Sequence, residues 1–377
     1  MQSAVSTSRP EAIFGRPDVE ALLASLPQRT AFTTGEWLSA AYEFLHDRRR
    51  PEIVTYGTSQ GLLGLLPLTG GLELVDGVPL RTLRAAGFPF SDRMPLLVAD
   101  GRNDLLECLL NALVETAAKW DVILLNELPH DQSVLEAVAR WARATKRTTM
   151  FRLSSRTPIL SLDFADRQSL LNSYSSSLRT RLRRGRKKLA GAGRVEFRRV
   201  LPNLEQVPDL LAEIRKVEDA SWKGRDAVGI FFGSDQQAFF SAMSRRFAAR
   251  GWLDLGLLYL DGRLISYRYG FRFREAFWDY NFSYLPEFAH LSPGRVLLDD
   301  MILSSFDLGL KIFDGSRGSL VTGNILSDWT DHATENVDLW IFNRTVPARV
   351  ARLVQTRLRP AFRRLERTMV KNPTRTD

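Results

Sequence analysis

The run Ser292-Pro293-Gly294-Arg295 has the residue types of a phosphate-binding helix start. The N-terminus of a helix carries unpaired backbone N–H groups and a partial positive charge, and phosphate oxygens fit both features. Ser292 could cap the helix, Pro293 suits its first turn, and Gly294 would let a ligand approach the backbone. Arg295 adds a guanidinium group for phosphate. By itself, however, Ser-Pro-Gly more often marks an ordinary capped helix.

An α/β arrangement between about residues 168 and 343 would position this run. The patterns predict helices at 204–221, 236–250 and 293–308, and strands at 253–260, 264–273, 276–284, 311–314 and 337–342. Asp261-Gly262 is a strong signal for a hairpin turn. The strand at 276–284 is rich in aromatic residues and comes just before the run, so it could flank the arm of a phosphate-bearing ligand.

A second α/β pattern covers about residues 32–162. It predicts strands at 52–57, 62–68, 80–87 and 122–127, and helices at 104–119, with Asp104 as its cap, and 133–144. Each half has a hairpin, another strand, a helix and a short apolar strand, which indicates a faint internal repeat. The first half has no Pro-Gly-Arg turn before its helix. Residues 1–30 are predicted to be a flexible leader.

The net charge of +9 is concentrated in two segments. Arg179–Lys188 carries seven Arg and Lys residues and no acid, and Arg349–Lys371 carries eight against Glu366. The first predicts a basic linker helix at 175–190, which is either solvated or a site for phosphate-bearing partners. The second predicts a basic amphipathic helix and tail at 346–377, which could lie on an anionic membrane or pack across the protein.

Several function classes are excluded by composition. No apolar run is long enough to span a membrane, and the chain has one cysteine and four histidines. Cys108 alone cannot form an internal disulfide, which fits a reducing cytoplasm, and we expect no metal site. We therefore predict a cytoplasmic protein, with possible peripheral contact at the inner surface of the membrane.

Short motifs in a fixed order resemble a known family. They are Leu260-Asp261-Gly262-Arg263-Leu264-Ile265, Trp278-Asp279-Tyr280, Ser292-Pro293-Gly294-Arg295, Phe313-Asp314, Arg317-Gly318 and Trp329-Thr330, with Ser175-Ser176-Ser177-Leu178 and Ser221-Trp222-Lys223 before them. In this order they resemble the C-terminal acyltransferase domain of the GNAT superfamily. More narrowly, the chain is similar to the CelD/BcsL-like proteins, which fuse two GNAT-like domains and are distantly related to FemAB peptidyltransferases.

The resemblance implies an α/β fold of two tandem GNAT-like domains, with mixed, mostly antiparallel sheets flanked by helices. We expect a degenerate first domain at 31–163 and an acyltransferase domain at 164–345. The resemblance also implies acetyl-CoA as acyl donor, with its pyrophosphate bound by Ser292, Pro293, Gly294 and Arg295. The segment Ser319–Ser327 is small and apolar where the group has a longer charged stretch, which puts the acceptor contacts in doubt.

Direct acetyl transfer needs a base for the acceptor proton and a polarised thioester carbonyl. Asp314, at a predicted strand end, is the first candidate for the base, although a turn residue is the more common reading. Asp279 is either functional or paired with an arginine such as Arg268 or Arg317, because an unpaired buried charge is costly. Tyr280 could protonate the leaving thiolate, or simply pack in the sheet.

Trp222, Lys223, Arg317 and Trp329 are candidates for acceptor binding, with core packing or solvation as the alternatives for each. The leading hypothesis is acetyl-CoA-dependent N- or O-acyl transfer to a carbohydrate or polysaccharide precursor. A FemAB-like transferase that uses aminoacyl-tRNA is the first alternative, although the basic helix lacks the interleaved aromatics of a single-strand reader, so nucleic acid is the less favoured partner. The second alternative is a non-catalytic partner of a polysaccharide synthase.

Overall fold

The computed structural model describes residues 3–45, 49–59, 61–99, 102–117, 119–318, 320 and 323–358. Thirteen strands form one sheet. They are β1 Ser3–Thr7, β2 Arg50–Thr58, β3 Gly61–Val75, β4 Val78–Ala85, β5 Leu97–Val98, β6 Val122–Pro129, β7 Thr148–Ser161, β8 Val195–Val200, β9 Leu253–Leu260, β10 Arg263–Phe273, β11 Ala276–Tyr284, β12 Ile312–Asp314 and β13 Ala333–Phe342.

Helices flank both faces of this sheet. They are α1 Pro17–Ser25, α2 Gly35–Phe44, α3 Asn103–Thr116, α4 Gln132–Ala144, α5 Arg167–Ser173, α6 Ser176–Ala192, α7 Val207–Ala220, α8 Trp222–Arg225, α9 Ser234–Ala249, α10 Pro293–Asp307 and α11 Val346–Leu353, with a π-helical turn at Val354–Leu358. Within the described ranges, no helix has both the length and the apolar character needed to cross a bilayer.

The order of the strands repeats. The series β1-β2-β3-β4-β6 of the first half corresponds to β8-β9-β10-β11-β12 of the second. In each series the last two strands are parallel and are joined through a helix, α3 in the first half and α10 in the second. The other pairs are antiparallel, so the predicted α/β fold of two similar, mostly antiparallel halves is confirmed.

The two halves exchange their final strands. β13 lies between β6 and β7, and β7 lies between β13 and β12. Neither half therefore completes its own sheet, because the strand that ends each half is paired only with strands of the other half. The 14-residue strand β7 was absent from the sequence prediction.

The prediction of a flexible leader at 1–30 was wrong for the residues that the structure describes. β1 pairs with β2, and α1 buries Val19, Leu22 and Leu23 at helical spacing. The following helix α2 packs against α9 of the second half, where Trp37 contacts the rings of Phe239 and Phe247. The N-terminal residues are folded because they bury apolar side chains against the core.

Two smaller expectations about α3 and the hairpin had opposite outcomes. Asp104 does not cap α3; it lies in the first turn and is paired with Arg102, which precedes the helix.

Asp261 and Gly262 both have positive φ, 50° and 80°, as the predicted tight hairpin between β9 and β10 requires.

Residues 87–94 form a segment that joins the halves, which we call the bridging segment. Arg93 is ion-paired with Asp314 at the end of β12, and Ser316 donates its hydroxyl to Asp92 at 2.9 Å. The carbonyl of Phe90 accepts from the Tyr280 hydroxyl at 2.8 Å. The segment thus fixes β11 and β12 against the first half.

The strand exchange predicts that the halves do not fold separately. Residues 1–163 expressed alone would lack β13 and leave β6 and β7 unpaired on facing edges, and residues 164–345 would lack β7. We expect each fragment to be largely unfolded or aggregated, and a mixture of the two to regain structure. Circular dichroism and limited proteolysis would measure this; a fragment 164–345 with a cooperative unfolding transition would contradict it.

Candidate active site

The run Ser292–Arg295 joins a 3-10 helix, Pro286–Leu291, directly to α10. Pro293 opens the helix as predicted. Ser292 is the N-cap residue of α10, as predicted, but it has a left-handed backbone, with φ of 60°, and its side chain makes no capping hydrogen bond. In this position it also ends the 3-10 helix, and its backbone N–H donates to Ala289 at 3.0 Å.

A buried guanidinium group lies beneath the first turn of α10. Arg268 on β10 is fully buried, is ion-paired with Asp279 on β11, and donates from Nη2 to the Gly294 carbonyl at 3.1 Å. Burial raises the pKa of the Asp279 carboxyl, and the charge of Arg268 opposes that rise. Of the two alternatives for Asp279, the structure shows the pairing with Arg268.

The basic helix α6 packs beside the same turn. At Gly185 an added Cβ would lie 3.0 Å from Val296 Cγ2, so a larger residue would separate α6 from α10. Lys188 donates to the His290 carbonyl at 3.0 Å, and Arg181 and Arg295 both pair with Asp328. Two features that were separate in the sequence, the basic run and the helix start, therefore form one surface.

Part of the charge on α6 is uncompensated. Arg186 is paired with Asp299 and Asp300, at 2.7 and 2.6 Å. Arg183, Arg184 and Lys187 are exposed and make no ion pair with any residue that the structure describes. A polyanionic ligand near the start of α10 would meet these charges.

The strands β11 and β12 separate next to this surface. They pair only over Ala276–Trp278 and Ile312–Asp314, after which β12 ends and β11 continues to Tyr284. A β-bulge interrupts the pairing of β10 with β11 at Tyr269 and Gly270, just beyond that point. Within the described residues, the β12-facing edge of β11 past Trp278 has no strand partner, so its backbone groups are free to pair with an extended ligand.

A polar network borders this free edge. Lys223 donates to the side-chain oxygen of Asn281, and Asn281 donates to Glu218 at 2.7 Å. Glu218 is buried and also accepts from the Tyr267 hydroxyl and from the Phe231 backbone N–H at 3.0 Å. Burial lowers the pKa of Lys223 to about 8. The network therefore places beside β11 an amine whose pKa is close to neutral pH.

A cleft of about 1020 Å³ opens between the halves at the end of β12. Its lining combines three arginines with three acids and four aromatic side chains, which are Arg84, Arg152, Arg317, Asp76, Glu127, Asp338, Phe88, Trp222, Phe282 and Trp340. Arg317 pairs with Glu127 at 2.9 Å, and Arg152 pairs with Asp338 at 3.5 Å. Such a charge-balanced, aromatic lining suits a polar, uncharged ligand.

The structure brings only some predicted residues to this cleft. Trp222 lines the cleft with 46% of its surface exposed, and Arg317 lines it from the loop after β12. Lys223 is not part of the lining, but its Nζ lies 5.9 Å from the centre of the Trp222 ring. Trp329 does not reach the cleft: the indole is buried, donates to Asp299 at 3.4 Å, and has the Arg295 guanidinium 5.8 Å from its ring centre.

The contacts of Asp314 and Tyr280 do not fit their predicted catalytic roles. Asp314 is buried, is ion-paired with Arg93 and accepts from the Ser316 N–H at 2.8 Å; burial raises its pKa, and Arg93 opposes the rise. The Tyr280 hydroxyl is engaged by the bridging segment, and burial raises its pKa well above 10.0. Both residues join the halves, because their polar atoms point at first-half partners rather than into the cleft.

Sequence reasoning missed two carboxylates that line the cleft, Glu127 on β6 of the first half and Asp338 on β13 of the second. Glu127 lies buried on β6 with a φ of 54°, and it accepts from the Ser155 hydroxyl at 2.5 Å and from Arg317. Asp338 accepts from Asn126 at 3.0 Å. The polar pair Asn126-Glu127 after an apolar run was a local signal, but its position beside Arg317 depends on the strand exchange. Among the described residues no cluster of His, Cys, Asp and Glu could hold a metal ion.

Comparisons with known proteins concern the fold of the chain. Residues 176–321 match the family model of the acetyltransferase (GNAT) domain. A search of curated proteins gave no significant match. The structure of FemX is similar to this chain with a TM-score of 0.59 at 12% identity, covering 94% of this chain and 100% of FemX.

Two further structures show the same fold. The C-terminal domain of a putative lysylphosphatidylglycerol synthetase from Agrobacterium fabrum has a TM-score of 0.54 at 12% identity, covering 89% of this chain and 96% of that one. L-PGS from Bacillus licheniformis has a TM-score of 0.52 at 14% identity, covering 91% and 96%. At these identities the likeness shows the fold of the whole chain.

Lys223 predicts a specific dependence of stability on pH. Between about pH 8 and 10.5 the lysine is neutral in the folded protein and charged in the unfolded chain, so the unfolded state binds the extra proton. Relative to Lys223→Met, the free energy of unfolding of the natural protein should rise with pH across that window, by up to about 3 kcal/mol. Urea denaturation would measure it, with exposed Lys187→Met as control; parallel curves for both variants would refute it.

Proposed function

Because the chain is an acyltransferase with a tandem GNAT, FemX-like fold, we propose that it transfers an acyl group from acetyl-CoA to a carbohydrate or polysaccharide precursor. The observation that carries the proposal is the continuity of two surfaces. The cationic surface of α6 and α10 adjoins the free edge of β11, and that strand leads through Phe282 to the cleft. Donor and acceptor would thus meet at β11.

The donor side consists of the start of α10 and the cations around it. The backbone of Ser292–Arg295 and the side chains of Arg295 and Arg181 would hold the phosphates, and Lys188 adds positive charge beside His290. Arg268 supports the turn from below through the Gly294 carbonyl. Acetyl-CoA would supply an activated thioester, and the free edge of β11 offers backbone groups to its extended arm.

The acceptor side is the cleft. Trp222 and Phe282 offer aromatic faces on which a sugar ring can stack, and the paired charges of Arg317 with Glu127 and Arg152 with Asp338 offer hydrogen bonds without net charge. We propose that Glu127, rather than Asp314, takes the proton of the attacking amine or hydroxyl. Lys223 would stabilise negative charge that develops beside β11.

Donor binding can be measured by calorimetry with acetyl-CoA and CoA. We expect saturable binding of both ligands, and at least about tenfold weaker binding by Arg295→Gln, which removes a charge-assisted contact and leaves Asp328 without that partner. Arg215→Gln is the matched control, because Arg215 also forms a surface ion pair but lies on α7. Absence of binding at millimolar ligand would sink the proposal.

The acceptor can be sought by an acetyl-CoA turnover screen against amino sugars and polyols. With an active acceptor, Glu127→Gln should lower kcat about 100-fold or more while donor affinity stays unchanged, because only proton removal is affected. Asp314→Asn, tested in parallel, should mainly lower stability. Full activity of Glu127→Gln across the pH range would rule out this base.

A FemAB-like reaction with aminoacyl-tRNA is the second candidate function. The unpaired cations Arg183, Arg184 and Lys187 on α6 favour it, because they suit a nucleic-acid backbone as well as a single cofactor. This alternative predicts salt-dependent binding of tRNA, which should be lost when these three residues are changed to glutamine. It also predicts that the protein does not bind acetyl-CoA.

Peripheral contact with an anionic membrane is a further part of the proposal, in a protein that we place in the cytoplasm. α11 buries Ala348 and Ala351 and exposes Val346, Val350 and Leu353. Such an outward apolar face beside Arg349 and Arg352 suits an interfacial helix. The predicted helix beyond residue 358 lies outside the described residues. A non-catalytic role beside a polysaccharide synthase would use the same face.

A further inference from the structure

A second cavity, of about 570 Å³, lies where the bridging segment meets β11, β12 and the start of β13. It shares no lining residue with the cleft described above. Six polar or aromatic residues matter for what it could bind: Arg29, Arg93, Trp278, Asp314, Thr334 and Asn336. None of them belongs to the proposed donor surface, so a ligand here would be additional to both substrates.

The cavity contains a cation, Arg29, that forms no ion pair with any described residue; the Glu335 carboxylate in the same lining contacts His130 at 3.2 Å. Arg29 is partly buried, and its guanidinium lies 5.3 Å from the centre of the Phe273 ring. It makes no ion pair or hydrogen bond with any residue in the described ranges, whereas Arg93 in the same wall is paired with Asp314. Burial and the nearby charge of Arg274 lower the pKa of Arg29, and the charges of Glu20 and Glu36 oppose that lowering. A partly buried, unpaired guanidinium is costly for the free protein and attracts an anion.

Polar atoms without partners cluster at the same place. They are Nε of Arg29, Nε of Arg93, Nε1 of Trp278, Oγ1 of Thr334 and Oδ1 of Asn336. Trp278 is 6% exposed and Asn336 is fully buried. Most buried polar groups in native proteins have a partner, so several orphans around one cavity call for an explanation.

We infer that this cavity binds a small organic anion, whose carboxylate or phosphate group pairs with Arg29. The N–H groups of Trp278 and Arg93 are the further donors, reached with a small shift of these side chains, and the Asn336 oxygen can accept from a hydroxyl or amine of the ligand. Ala276, Ile312 and Pro129 supply apolar walls for an organic body. The cavity is wide enough for a metabolite rather than a single ion.

Calorimetric titration of the full chain with sodium phosphate and, separately, with sodium acetate would test the inference, with chloride holding the ionic strength constant. We expect saturable binding of at least one anion; phosphate alone indicates a phosphorylated ligand, and acetate alone a carboxylate. Arg29→Gln should weaken that binding at least about tenfold, as expected for loss of a charge-assisted contact. No saturable binding of either anion would overturn the inference.

Matched variants separate this cavity from the donor surface. Arg295→Gln should leave the anion affinity unchanged. If Arg295→Gln removes binding, the anion lies at the start of α10 and the inference is wrong, whatever the effect of Arg29→Gln. Trp278→Phe, which removes one donor but keeps the ring, should also weaken binding and serves if Arg29→Gln does not fold. Without ligand, Arg29→Gln should unfold at the same temperature as the natural protein or higher, because it removes an unpaired charge.

Discussion

The guanidinium group of Arg268 is the interaction on which the proposed donor surface depends. It connects β10, the Asp279 carboxylate of β11 and the first turn of α10 at a point that water does not reach. Removing either partner of such a pair leaves an uncompensated buried charge, which costs about 3–5 kcal/mol. The direction of α10, and with it the position of Ser292–Arg295 beside α6, follows from this contact. Asp279 therefore matters to the site through Arg268.

The first half completes the site rather than repeating it. Its bridging segment holds β11 and β12 through Phe90, Asp92 and Arg93, and its strand β6 brings Glu127 to the cleft. The loop after β12, with Arg317, joins these contributions to the second half. A half that lacks the helix-start turn can thus retain a function in acceptor binding, because the cleft has walls from both halves.

The sequence allowed the second half to be predicted well. Local signals gave the Asp261-Gly262 hairpin, the aromatic strand and the helix at Pro293, because each depends on residues close in the chain. The partners of buried charges could not be predicted in the same way. Asp314 was placed correctly at a strand end, but its partner Arg93 is 221 positions away in the chain.

Two other errors had the same physical origin. Ser292 has the usual residue type for a helix cap, yet its backbone is set by the 3-10 helix that it ends. The long strand β7 has no sustained alternation of apolar residues, and it lies at the centre of an exchanged sheet, with both of its partners in the second half. The backbone of Ser292 and the position of β7 depend on tertiary contacts, which the local periodicity of the sequence does not reveal.

The exchange of β7 and β13 also bears on how the chain is made. During synthesis the first half emerges with β6 and β7 lacking the strand that belongs between them, and that strand is complete only at Phe342. Synthesis must therefore pass Phe342 before the sheet can close, and until then the facing edges of β6 and β7 stay unpaired. Folding of the first half is therefore expected to wait for synthesis of the second, with chaperones as the natural protection for the nascent first half.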